Sequence, residues 1–317
     1  MAKSLNSSYT HSIDTHEISI MQKSLARPKH ARILKTLMIV SCVLLILTNT
    51  ALATQTLSKE DEQQLIERTV KRINNDFNNM KVEVFTWPKD SLNKLGNIKP
   101  SAFVAVHKNS KGGKRPLIVS LHGGGGKKSS IVDQLIRSAR VKGLALAEKS
   151  NQDFIMFEPN SSDSWDPVTL NYALSLFLRR YPNVDTNRIY LIGHSMGGSG
   201  ALAWALNDPD LFAAVSPTGF RLKAPLKSVH VLAKLPIWLA VGSEDGVRPD
   251  DVMSVYSALK KAGNKHVGFT AFPGANHSQA NAAVFHSTDI VEWFLTQSKK
   301  QQIGRQNIEP TNLSSSP

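Results

Sequence analysis

The chemistry of this chain centres on Ser195, the middle of the pentapeptide Gly193-His194-Ser195-Met196-Gly197. The run before it, residues 189–192, reads Ile-Tyr-Leu-Ile, and small helix-compatible residues follow. That pattern predicts a strand reversing sharply into a helix, with the serine hydroxyl exposed at the apex. Backbone crowding at such a turn leaves its neighbours no room for a Cβ, which accounts for the glycines. The first amides of the helix, Met196 foremost, then face the place where an oxyanion would form. A serine hydroxyl is a poor nucleophile near neutrality. The chain must therefore also supply a base, an acid that orients the base, and a second oxyanion donor.

Three loops fit, each at the carboxyl end of an expected strand, where a parallel sheet gathers its functional groups. His122-Gly123-Gly124-Gly125-Gly126 follows the apolar run 116–121. Consecutive glycines cost chain entropy, and backbone N–H groups that must approach a ligand closely explain them. Gly124 is the foremost second oxyanion donor, with Gly123 and Gly125 as alternatives. A flexible loop or a phosphate cradle is the competing reading, although Lys127-Lys128-Ser129 falls short of a Gly-Lys-Ser/Thr box. Gly242-Ser243-Glu244-Asp245-Gly246 offers Asp245 as the acid with Glu244 its rival, while Asp250 and Asp251 suit the first turn of a helix. Gly274-Ala275-Asn276-His277-Ser278 offers His277 as the base, with His286 its competitor. His194 and His122 are expected to shape the substrate pocket. Trp165, beyond the run 154–157, either lines that pocket or packs beneath the loop. The chemistry needs no metal and no organic cofactor.

These groups require a frame. Strands are expected at residues 82–87, 102–107, 116–121, 154–157, 189–192, 212–215, 237–241 and 267–272, most of them apolar on both faces. Helical patterns fall at 131–148, 168–180, 199–207, 249–262 and 288–298. An earlier helix opens on Ser58-Lys59-Glu60-Asp61, a capping-box pattern, and carries Ile66, Val70, Ile73, Phe77 and Met80 on one face. The alternation predicts an α/β fold: a mainly parallel eight-stranded sheet with helices on both faces and an antiparallel start where the first two strands lack a helix between them.

Composition agrees with one sizeable core: 317 residues, 41% hydrophobic and 20% charged. The amino terminus is different. Lys3, Lys23, Arg27, Lys29, Arg32 and Lys35 precede an apolar run at 36–48 and then Ala51-Leu52-Ala53. These are the parts of a secretory signal cleaved after Ala53; the alternatives are a retained anchor, a start at Met21, and a lipoprotein box at Ile39-Val40-Ser41-Cys42. The expected division is a signal at 1–53, a catalytic domain at 54–300 and a disordered tail at 301–317, with no stable membrane span after cleavage and a secreted or periplasmic destination. Cys42 is the only cysteine and leaves with the signal, so a thiol nucleophile and a thiolate metal site are excluded. The net charge is +13; without the first 53 residues the balance is 32 basic to 23 acidic, or +9. No nucleic-acid motif accompanies that charge, and a solvated basic surface is the simpler reading. Asn276-His277-Ser278 is also a glycosylation sequon; a glycan there would obstruct the base, which favours a bacterial exporter.

The four loops in this order, 122–126, 193–198, 242–245 and 274–277, resemble the α/β-hydrolase superfamily over essentially the whole mature chain. Tyr181-Pro182-x-Val184-Asp185-x-x-Arg188-Ile189-Tyr190 and Pro209-x-x-Phe212-Ala213-Ala214 are similar to the secreted esterases of the polyhydroxybutyrate depolymerase-like, feruloyl esterase-like and predicted-peptidase group. The resemblance implies a Ser195-His277-Asp245 triad acting on a small-molecule or polymeric ester, although depolymerases of the group often carry cysteines that the mature chain lacks. A peptidase or acyltransferase with the same triad, and a non-catalytic binding protein, are the competing classes.

Overall fold

The computed structural model describes residues 58–108, 110, 112–141, 153–222, 228–286 and 289–300. The expected signal at 1–53, the tail at 301–317 and the second half of the helix expected at 131–148 lie outside them. The chain divides into two units, Met1–Glu62, of which residues 58–62 are described, and Gln63–Pro317, which holds the sheet.

In chain order the elements are α1 (Lys59–Asp76), β1 (Met80–Thr86), β2 (Ser101–His107), β3 (Arg115–Leu121), α2 (Ile131–Val141), β4 (Ile155–Glu158), α3 (Pro167–Arg180) and β5 (Val184–His194). There follow α4 (Met196–Asn207), β6 (Ala214–Thr218), β7 (Ile237–Gly242), α5 (Arg248–Lys261), β8 (Val267–Phe272), α6 (His277–His286) and α7 (Asp289–Leu295). The eight strands form one sheet in the order β1-β2-β4-β3-β5-β6-β7-β8. β2 pairs antiparallel with both β1 and β4, and every other pairing is parallel.

Alternation along the central strands splits the core in two. Leu117 and Val119 of β3 and Ile189 and Leu191 of β5 face one layer, with Leu174 and Phe177 of α3, Trp204 of α4 and Val255 of α5. Their neighbours Ile118, Tyr190 and Ile192 face the other, with Leu135 of α2, Val284 of α6 and Phe294 of α7. Period-two side chains on strands covered from both sides make these runs apolar throughout.

Several local expectations shift. α1 ends at Asp76, and Met80, expected on its apolar face, instead opens β1, fully buried. β5 begins at Val184, five residues before its apolar run, through a stretch whose polar side chains hide the strand. β6 starts two residues later than Phe212 and continues to Thr218. The helix α6 was not expected at all, because His-Ser-Gln-Ala-Asn-Ala-Ala-Val-Phe-His has no clear apolar face.

Candidate active site

Ser195 is the residue between β5 and α4, at φ 61° and ψ −121°, a conformation that L-residues rarely adopt. Its neighbours explain why it stays there. A Cβ on Gly193 would lie 2.2 Å from Gly197 O, one on Gly197 2.0 Å from Leu121 O, and one on Gly198 2.3 Å from Thr218 O. The turn is thus wedged between the ends of β3 and β6, and two hydrogen bonds fix it: Ser195 N donates to Thr218 O at 2.9 Å and Ser199 N to Ser195 O at 3.0 Å. Met196 opens α4, so its amide has no acceptor within the helix.

The acid and base come from loops stitched to each other. Ser243 N donates to Phe272 O at 3.0 Å, Glu244 N to Ala275 O at 3.1 Å and Gly274 N to Ser243 Oγ at 2.8 Å. A Cβ on Gly242 would meet Ala275 O at 2.1 Å, so the loops touch backbone to backbone. Asp245 is buried, whereas Glu244, its rival, is exposed. His277 opens α6 and its competitor His286 ends the same helix. Asn276 and Gln279 cap that helix reciprocally, Asn276 N donating to Gln279 Oε1 at 2.9 Å and Gln279 N to Asn276 Oδ1 at 3.1 Å. That Asn-x-x-Gln spacing is the sequence signal that would have revealed α6.

His277 Nδ1 lies 2.7 Å from Asp245 Oδ2. A carboxylate can only accept, so Nδ1 carries the proton and Nε2 is left as the basic nitrogen. His277 and Ser195 line one cavity of about 280 Å³, together with Gly123, Gly124, Gly125, Gly126, Arg137, His194, Ser278 and Asn281. No hydrogen bond joins the Ser195 hydroxyl to His277; such contacts commonly tighten only when substrate arrives. His194, Asp245 and His277 also offer ligand atoms within 4.8 Å of one another. Asp245 Oδ2 and His277 Nδ1 are already paired with each other, and His194 Nδ1 with Thr218 Oγ1.

His194 is buried and does line the cavity, as expected. Its ring centroid is 4.4 Å from that of His277, and its Nδ1 is 3.0 Å from Thr218 Oγ1. Since Thr218 Oγ1 donates to Gly193 O at 3.1 Å, it accepts from His194, so the proton of His194 sits on Nδ1.

His122, expected to shape the pocket, lies elsewhere, and of the two places open to Trp165 the structure gives the one beneath the loop. His122 and Trp165 are buried under the glycine loop and do not line the cavity. Ser161 N donates to His122 Nε2 at 2.9 Å, leaving the Nδ1 proton to Gly123 O at 2.8 Å. Trp165 Nε1 donates to His122 O at 3.0 Å, and the two rings meet edge to face at 4.7 Å. A Cβ on Gly126 would fall 2.2 Å from the His122 ring. Both side chains are the platform on which the loop rests, and the loop's own geometry leaves them no way into the pocket. Above it, a Cβ on Gly123 would be 3.4 Å from Ser195 Cβ, while Gly124 and Gly125 face open space.

Three further groups were not anticipated. Arg137 of α2 reaches the cavity and is hydrogen-bonded to Ser129 Oγ at the foot of the glycine loop. Behind it Lys99 Nζ donates to Ser129 O at 2.6 Å; burial, and then the Arg137 guanidinium, hold that ammonium below the usual lysine range. Arg248 Nη1 donates to the second oxygen of Asp245 at 3.1 Å. Of these, only the Asp-x-x-Arg spacing of the last leaves a trace in the sequence.

Over 151 residues the chain is 31% identical to NocK of Nocardia uniformis subsp. tsuyamanensis, a protein bearing the name of a candidate esterase, covering 45% of this chain and 44% of that one. It superimposes on a thermostable esterase at a TM-score of 0.55 and 22% identity, over 72% of this chain and 64% of the other. It also superimposes on the Pyrobaculum calidifontis esterase at 0.50 and 14%, over 76% and 93%. The chain therefore spans less than two thirds of the length of NocK or of the thermostable esterase. The structural likenesses are of fold, and the fold is the α/β-hydrolase fold expected from the four loops. The family model for dienelactone hydrolases matches residues 131–289, just over half of the chain and the stretch holding Ser195, Asp245 and His277, and the chain belongs to the dienelactone hydrolase family.

Proposed function

We propose that this chain is a serine esterase that cleaves carboxylic esters through Ser195, His277 and Asp245. The observation that carries the reading is the pairing of a strained, pocket-facing Ser195 with a His277 whose Nδ1 is tied to buried Asp245. His277 Nε2 takes the hydroxyl proton as Ser195 Oγ attacks the ester carbonyl carbon. The negative charge on the carbonyl oxygen falls to the amides of Met196 and the glycine loop, Gly124 foremost. Asp245 stabilises the imidazolium, which returns its proton to the departing alcohol. Water then attacks the acyl-enzyme by the same relay, releasing the acid and restoring Ser195. The cavity suits a small ester or the end group of a longer one. Residues 1–53 carry the pattern of a secretory signal, which supports a secreted or periplasmic enzyme; among the described residues no helix is long and apolar enough to cross a membrane.

Fluorophosphonate labelling of the purified protein, with the modified peptide mapped, tests the reading. Label is expected on Ser195 and lost in Ser195→Ala and His277→Ala, with hydrolysis of p-nitrophenyl esters lost in parallel. A folded wild type that takes no label, or takes it elsewhere, would remove the triad.

A further inference from the structure

The loop that carries Asp245 also carries an arginine placed against ordinary electrostatics. Arg248 is the first residue of α5, where the helix dipole disfavours a cation; Asp250 and Asp251 show the charge such a turn prefers. Asp251 is engaged elsewhere, by Arg221 Nε at 2.7 Å. The chain is turned at Gly246, φ +60°, so that Arg248 returns over Asp245. Its Nε is buried without a hydrogen-bond partner among the described residues, a cost that a surface arginine escapes by turning into water. The Asp245 side chain is only 2% exposed, and among the described residues Arg248 and His277 alone lie within ion-pair distance of it. Whenever His277 is neutral, Arg248 is the one countercharge of this buried carboxylate.

We propose that Arg248 is a positioning residue of the triad, clamping the Asp245 carboxylate in register with His277 and opposing its charge. This rests on the serine-esterase reading. Arg248 does not line the cavity, so it acts through Asp245 and not on substrate. Among the described residues the charged and titratable groups facing His277 are Asp245, His194 in ring contact, and Arg137 from α2 on the same cavity wall; Glu244 is exposed. With the Arg248 charge removed, an unopposed Asp245 holds the imidazolium more strongly. The acid limb of the activity profile is then expected to move up.

The test is the pH profile of kcat and kcat/KM for Arg248→Met, Arg248→Gln and Arg248→Lys. The methionine variant is expected to lose roughly tenfold in kcat at unchanged KM, with the acid limb moved up by about half a unit to one unit. Glutamine, a donor without charge, recovers part of kcat but keeps the displaced limb. Lysine restores the limb. A wild-type limb in both the methionine and glutamine variants, or a loss confined to KM, overturns the proposal; if Arg248→Met does not fold, an identical limb in the glutamine and lysine variants does so. Labelling at Ser195 in the wild type alongside unaltered variant profiles sinks the role of Arg248 alone, whereas a wild type that never labels takes the triad with it.

Discussion

Ser195 holds a backbone conformation that costs a non-glycine residue on the order of 1–3 kcal/mol. The wedge formed by Leu121 O, Thr218 O and the three glycines keeps it there. Ser195→Gly should therefore be inactive yet more stable, by about 1 kcal/mol in denaturant unfolding. A less stable glycine variant would show that the apex is unstrained. Three histidines near this residue hold their proton on the same nitrogen for three purposes. His277 orients toward Asp245, His194 packs against His277 with Thr218 behind it, and His122 braces the glycine loop. Type alone did not separate them; the partner of each ring did.

At the scale of elements, the loop 122–126 depends on what lies under it. Trp165→Phe keeps the packing but removes the donor to His122 O, and a stability loss of about 1 kcal/mol is expected. The same change should lower kcat more than it alters KM, because the platform aims the loop amides; a dominant effect on KM would return Trp165 to the substrate pocket. The elements that were legible in sequence are those whose burial leaves a pattern: β3, the second half of β5 and β7 as apolar runs, and the Gly193-x-Ser195-x-Gly197 turn as a packing necessity. α6 was hidden because its buried face is narrow, Ala280, Val284 and Phe285 standing among short or polar residues. Arg137 was hidden for another reason: no spacing along α2 says which of its turns looks onto a loop contributed by β3.

At the scale of the whole molecule, two tyrosines tie distant parts of the chain and make its stability depend on pH. Tyr181 is pushed above its ordinary 10.0 by burial and then by its hydrogen bond to Glu83 of β1. Tyr190, on the other face of the sheet, is pushed up by burial, its hydroxyl donating to Gln297 O at 2.9 Å. The unfolded chain releases both phenolic protons first. It then binds fewer protons than the native state, so stability is full below about pH 10 and falls as pH rises beyond it. Thermal unfolding at pH 9 and pH 11 should show that fall, smaller in Tyr181→Phe; a pH-independent Tm over this range would contradict it. The sheet also divides the proposed triad between two mechanical environments. Ser195 sits at the end of β5, flanked by its parallel neighbours β3 and β6 in the middle of the sheet, whereas Asp245 and His277 hang on loops laced to each other beside β8, an edge strand with no fully buried residue. If the proposed triad operates, loosening of that edge would carry acid and base away as a pair while the nucleophile stays in place at the folded centre.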